Sequence, residues 1–169
     1  GAVVIRYQRG QGELKDWQNP MQALEIGKGG NLKQGEDLGV LAIGPIGNTV
    51  AKAMEEVGKE GYSIAHYDMI FLKPIDKVLL EEVAQKFDKV ITVENGVITG
   101  GLGSAVLEFF SEKEYKDVSV TRIGLPDSFV THGSIKDLNH LCRIDAEGIT
   151  QRLLDVLKAT NKDKELLYS

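Results

Sequence analysis

One cysteine, four prolines and an aromatic share of 7% are what this 169-residue chain has little of. A single thiol, Cys142, cannot close a disulfide within the chain, so a small secreted scaffold stapled by bridges is not indicated. Cys142 follows Leu138 and Leu141 in an apolar run, where a packed, unreactive thiol is expected. No apolar stretch approaches the roughly 20 residues of a membrane-spanning helix, and no signal peptide is apparent, so the expected location is cytoplasmic. The net charge of −5 and the scattered Lys and Arg give no footprint for a nucleic acid. Lys158, Lys162 and Lys164 alternate with acids and are read as a solvated tail.

What is present is glycine, 19 residues, within a composition that is 42% hydrophobic and 27% charged. That balance suits one globular domain with many tight turns. The chain begins without Met and turns apolar at once; Val3 to Arg6 is read as a strand or its stub, and this suggests a piece of something longer. Residues 10–24 lose all periodicity and are assigned to a linker, so that 1–24 end a preceding domain, 25–160 form the main one and 161–169 a tail. Glycines at 27, 29 and 30 suit a turn within a short extended element.

From residue 38 the pattern is regular. Leu38–Ile43 is continuously apolar, as for a strand buried on both faces. Val50, Met54 and Val57 then recur at helical spacing, and 63–67 is the next strand. Asp76 is placed to cap a helix whose apolar face is read as Val78, Leu79, Val83 and Ala84. A strand at 90–93 precedes a helix carrying Val106, Leu107 and Phe110; a strand at 118–123 precedes helical segments after Ser134 and over about 145–158. Strands alternating with helices of this length indicate α/β architecture: a mostly parallel sheet between two helical layers.

Chemistry-bearing residues are sparse. Gly100-Gly101-Leu102-Gly103 lies between a strand and a helix, but it is neither a dinucleotide fingerprint nor a P-loop, and close approach of the helix start to neighbouring backbone is the preferred reading. Glu94 follows its strand directly; holding loop backbone or a partner is favoured over acid–base work. His66 is expected to be satisfied in the core or at its edge, His132 to serve a turn, and His140 to ride a helix. No His/Cys/Asp/Glu group has zinc spacing, and no metal site is assigned. Arg6 and Arg9, three residues apart before a glycine, can present forked donors to a phosphate or carboxylate.

As a set, several segments resemble the 1-deoxy-D-xylulose-5-phosphate synthases of the transketolase-like superfamily. Arg6-Tyr7-Gln8-Arg9-Gly10 is similar to that family's Arg-Tyr-Pro-Arg-Gly, and Ile26-Gly27-Lys28-Gly29 to its Ile-Gly-Lys-Gly. Phe71-Leu72-Lys73-Pro74-Ile75-Asp76 and Thr92-Val93-Glu94-Asn95, with Gly100-Gly101-Leu102-Gly103-Ser104, have counterparts too. The most discriminating piece is Gly124-Leu125-Pro126-Asp127-Ser128-Phe129, with His132-Gly133 and Asp145-Ala146-Glu147-Gly148-Ile149. The resemblance implies a transketolase C-terminal fold, with five strands of which one is antiparallel, inside a homodimeric transferase. Such an enzyme joins pyruvate to glyceraldehyde 3-phosphate with loss of carbon dioxide, feeding isoprenoid and thiamine synthesis. It implies thiamine diphosphate and magnesium held by missing N-terminal and middle domains, with no cofactor or catalytic residue on this chain and no activity of the chain alone. Arg9, with Arg6 beside it, would meet the phosphate of glyceraldehyde 3-phosphate. Gln8 in place of the proline leaves Arg9 less pre-set, and Asn95 in place of a second glutamate removes a charge. The alternatives are the matching domain of a 2-oxo-acid dehydrogenase β subunit or a transketolase, and a non-catalytic docking module.

Overall fold

A computed structural model describes residues 2–5 and 22–167, without the side chains of 160–167. The order of elements is β1 (Gly30–Lys33), β2 (Leu38–Ile43), α1 (Ile46–Gly58), β3 (Ile64–Asp68), α2 (Lys77–Lys86), β4 (Lys89–Val97), α3 (Leu102–Glu112), β5 (Ser119–Leu125), α4 (Ile135–Leu141) and α5 (Ala146–Leu167). Five strands form one sheet in the order β1-β3-β2-β4-β5. β1 runs antiparallel to β3, and the other neighbours are parallel. This is the expected three-layer α/β/α arrangement with a single reversed strand.

The apolar run of β2 makes it central. Leu38, Val40 and Ala42 pack with α1 and α5, through Val50, Met54, Val57, Ile149 and Leu153. Leu41 packs on the other face with α2 and α3, through Leu80, Val83, Val106 and Phe110. Each fully buried Leu, Ile or Phe of this kind contributes about 1.5–3 kcal/mol. The chain leaves β2 for β3 on one side, and leaves β4 for β5 on the other, so the carboxyl ends of β2 and β4 flank the point where the winding reverses.

Several expectations need correction. Of the strand expected over Val3 to Arg6, Val3, Val4 and Ile5 form none and are exposed, a β-branched run without a strand to pair with, and Arg6 lies outside the described residues. On α2 the inward stripe is Leu79, Leu80 and Val83, while Val78 is exposed; on α3, Phe109 is buried and Leu107 exposed. β4 does not stop at Val93 but runs to Val97 across a register shift that leaves Val97 opposite Leu125. Lys158 is exposed, and its Nζ pairs with Glu60 at 3.1 Å. α5 also continues to Leu167, past the segment expected to end near Lys158.

Candidate functional site

Glu94 ends the regular part of β4, paired in register with Ile43, and its side chain is buried. The first N–H groups of a helix have no partner within it, and the residue at the cap of α3 is Gly101, which has no side chain to offer. Glu94 supplies the caps from eight residues away. Its Oε2 accepts from Leu102 N–H and its Oε1 from Gly103 N–H, both at 3.0 Å. A carboxylate at the positive end of a helix is also favoured electrostatically. The glycines follow from this. A Cβ at Gly101 would fall on the Glu94 carboxylate, and one at Gly103 would lie 2.6 Å from Arg122 Cδ and 2.7 Å from Thr92 Oγ1. Close approach is thus what the glycines provide, but to the side chains of Glu94, Thr92 and Arg122 rather than to neighbouring backbone. Ser104 Oγ accepts from Gly100 N–H at 3.0 Å and donates to the Ile98 carbonyl, which also accepts from Arg122 Nη1 at 3.0 Å. With both oxygens engaged, Glu94 is an anchor for the 95–101 loop and not a free acid or base.

Asp76 makes a second joint. It caps α2, Oδ1 accepting from Leu79 N–H at 3.1 Å, while Oδ2 accepts from Gly29 N–H at 3.0 Å and Lys28 Nζ stands 3.9 Å away. Gly27, at φ +79°, turns the chain so that a Cβ there would meet the Pro74 ring at 2.9 Å. The Ile-Gly-Lys-Gly and Lys-Pro-Ile-Asp segments, 47 residues apart at Gly29 and Asp76, are therefore two halves of one contact. Burial alone would raise the Asp76 pKa, but the two N–H donors and Lys28 outweigh it and hold the carboxyl below its usual range.

A cleft of about 510 Å³ lies between the end of β5 and α5, with Arg122, His140, Cys142, Arg143, Asp145 and Arg152 among its walls. His140 Nδ1 is 2.8 Å from Asp145 Oδ2, and Asp145 Oδ1 caps α5 by accepting from Gly148 N–H at 2.9 Å. The hydrogen bond to Asp145, then its charge, raises the His140 pKa. Burial pushes Asp145 up, and the His140 and Gly148 contacts more than reverse it. With Glu147, these two place ligand-type atoms within 4.8 Å of one another. Sequence spacing missed the group because it spans a helix break. A cation there would have to displace the His140–Asp145 pair beside three arginines and a positive helix end.

The remaining sequence candidates separate. Arg6 and Arg9 lie outside the described residues. His132 and Asp127 are exposed in the loop before α4, and Cys142 is a half-buried free thiol packed against the α1–α5 core. His66 is buried as expected, but it is not satisfied: its Nε2 has no hydrogen-bond partner. Among the described residues no helix is long and apolar enough to cross a membrane.

The transketolase C-terminal domain family matches residues 27–149, which takes in the whole sheet and both joints. The chain belongs to that family. A 1-deoxy-D-xylulose-5-phosphate synthase of Parabacteroides distasonis is 60% identical over 153 residues, covering 90% of this chain and 24% of that protein. The synthase of Phocaeicola vulgatus is 53% identical over 155 residues, again covering 24% of that protein. The chain thus spans about a quarter of the curated relatives it matches. Among solved structures, a split-gene transketolase described as an inactive β4 tetramer superposes with a TM-score of 0.73 at 32% identity, over 80% of this chain and 44% of that one. The transketolase of Campylobacter jejuni, at 17% identity and a TM-score of 0.52, shares the fold.

Proposed function

We propose that the chain is the C-terminal domain of a thiamine-diphosphate-dependent 1-deoxy-D-xylulose-5-phosphate synthase, a transferase joining pyruvate to glyceraldehyde 3-phosphate. The observation that carries this is the 60% identity to such a synthase across nine-tenths of the chain, against 32% to a split-gene transketolase. In this reading residues 1–24 are the end of a preceding domain and a linker, 25–160 the transketolase C-terminal unit, and 161–169 a tail. Arg9, with Arg6, grips the phosphate of the aldehyde, because a guanidinium fork matches a phosphate in a way a lysine does not. Holding that phosphate keeps the aldehyde near the reacting carbon and lowers the entropy cost of the encounter. The domain adds contacts in a cytoplasmic homodimer.

Thiamine diphosphate and magnesium are assigned to the other domains of the parent. Glu94, Asp76 and Asp145 do not fit them. Glu94 and Asp76 each already accept two backbone N–H groups, and Asp145 is shared between a histidine and a helix cap. Magnesium needs oxygen ligands in near-octahedral order, and these three carboxylates are not assigned to it. Arg9→Ala in the full-length parent should raise KM for glyceraldehyde 3-phosphate by about tenfold or more, the scale of a lost charge-assisted hydrogen bond, with KM for pyruvate little changed. Equal effects on both substrates would remove the phosphate role. Measurable turnover by this chain alone would remove the proposal that it is inactive by itself.

A further inference from the structure

The loop from β3 to α2 holds a backbone outlier. Ile70 stands at φ +52°, a left-handed conformation that crowds a branched Cβ and that glycine adopts freely. The turn is pinned from both sides: Ile70 N–H donates to Asp68 Oδ1 at 3.0 Å, and Phe71 N–H to the Met69 carbonyl. Met69 is buried, whereas the Ile70 side chain is exposed. The strain therefore secures no packing within the domain; it presents an apolar side chain at the carboxyl rim of the sheet. Backbone strain of this kind collects where a surface is used.

Ile70 has company. Ile26 is 75% exposed and Val78 56%, and Leu72 is exposed as well. The Asp76 joint gathers them. A Cβ at Gly27 would meet the Pro74 ring, and one at Gly29 would lie 3.5 Å from Met69 Cα and 2.7 Å from Leu79 Cδ2, so the segment entering β1 rests on the 69–79 stretch. Single exposed apolar residues are ordinary on a domain surface, but several around one joint form a patch, and patches mark contact surfaces. Lys73 and Lys77, both exposed, belong to the same stretch.

The course of the chain says what covers the patch. Because β1 is antiparallel to β3, the residues leading into Gly30 approach at this rim. The chain spans 24% of the Parabacteroides distasonis synthase, and the family it matches is that of a C-terminal domain. On the reading given above, in which residues 1–24 end a preceding domain, that domain is tethered beside the patch, and tethering makes the encounter intramolecular. We propose that the ridge formed by Ile26, Ile70, Leu72 and Val78 is the seat of the preceding domain of the same polypeptide, whose covering surface is apolar at its centre and acidic where it meets Lys73 and Lys77.

The test is hydrogen–deuterium exchange, read by peptide mass spectrometry on this chain and on the full-length parent. Peptides over 24–28 and 70–73 should exchange about tenfold more slowly in the parent, while the turn at 58–61, at the opposite end of the sheet, is unchanged. Ile70→Gly should leave the unfolding midpoint of this chain the same or higher, since it relieves a left-handed isoleucine, yet remove most of the slowing in the parent. Leu72→Gln with Val78→Gln, both at exposed positions, should do likewise. Equal exchange of the rim in the two proteins would overturn the proposal. So would slowing that appears in this chain alone as its concentration rises, which would give the ridge to a second copy. A lower midpoint for Ile70→Gly in this chain would show that the side chain serves the domain itself. Synthase turnover measured on the same parent keeps the two readings apart: a protected rim in a parent without synthase activity would leave the interface standing and remove the synthase.

Discussion

Glu94 and His66 are both buried polar side chains at the carboxyl end of the same sheet, and they are treated in opposite ways. Glu94 carries a charge and has both oxygens matched to the start of α3. His66 has a nitrogen with no partner at all. A buried charge is tolerated only when paired, whereas a neutral imidazole can be left unmatched at a bearable cost. The first residue builds the scaffold of the β4–α3 turn; the second stabilises nothing that can be seen around it.

The sharpest way to break that contrast is Glu94→Ala. It strands two buried N–H groups and opens a void, and should lower unfolding stability by about 3–5 kcal/mol in urea denaturation. A loss below about 1 kcal/mol, the range of a single exposed pair, would mean Glu94 is not the anchor described here. Gly103→Ala comes next, since its methyl must displace Arg122 or Thr92, at about 1–3 kcal/mol. His66→Leu should change stability by less than about 1 kcal/mol at neutral pH and can raise it, because it removes an unmatched polar group.

The smallest effect is in the pH profile. Burial holds the folded-state pKa of His66 below its unfolded value of about 6.5. Below that pH the unfolded chain binds a proton the folded chain refuses, so stability falls as pH drops toward the folded pKa. His66→Leu should lack this acid-side loss. His140 has the opposite sign: its raised pKa gives stabilisation that is complete below the unfolded value and fades as pH rises through the folded one. His140→Gln should flatten that limb alone. Denaturation midpoints across pH 5–8, where histidine titrates, separate the two.

Much of the architecture could be read from the residues, because buried parallel strands are continuous apolar runs and Asp76 has an unmistakable cap position after Pro74. The misreadings have a common origin. Val78 and Leu107 are apolar but lie off the stripes set by Leu79, Leu80, Val83 and by Leu102, Val106, Phe109, Phe110. Spacings of three and four from Leu79, Leu80 and Val83 would have excluded Val78, but Leu107 stands three residues from Phe110, so spacing alone could not tell it from Val106. Glu94-Asn95-Gly96 looks like a turn, and only the pairing of Val97 with Leu125 reveals strand beyond it. The long-range partners of Glu94 and Asp76, and the bare nitrogen of His66, depend on which loops meet in space, and local pattern carries no record of that.

Strand β1 runs against its neighbour, so that Gly30 sits beside Asp68, where the parallel strands finish, and Lys33 beside His66 further back. Had β1 been parallel, the polypeptide upstream of it would arrive at the amino ends, remote from both joints. Reversed, it brings the described residues just before Gly30 to the rim where the loops gather, which is where Gly29 can donate to Asp76.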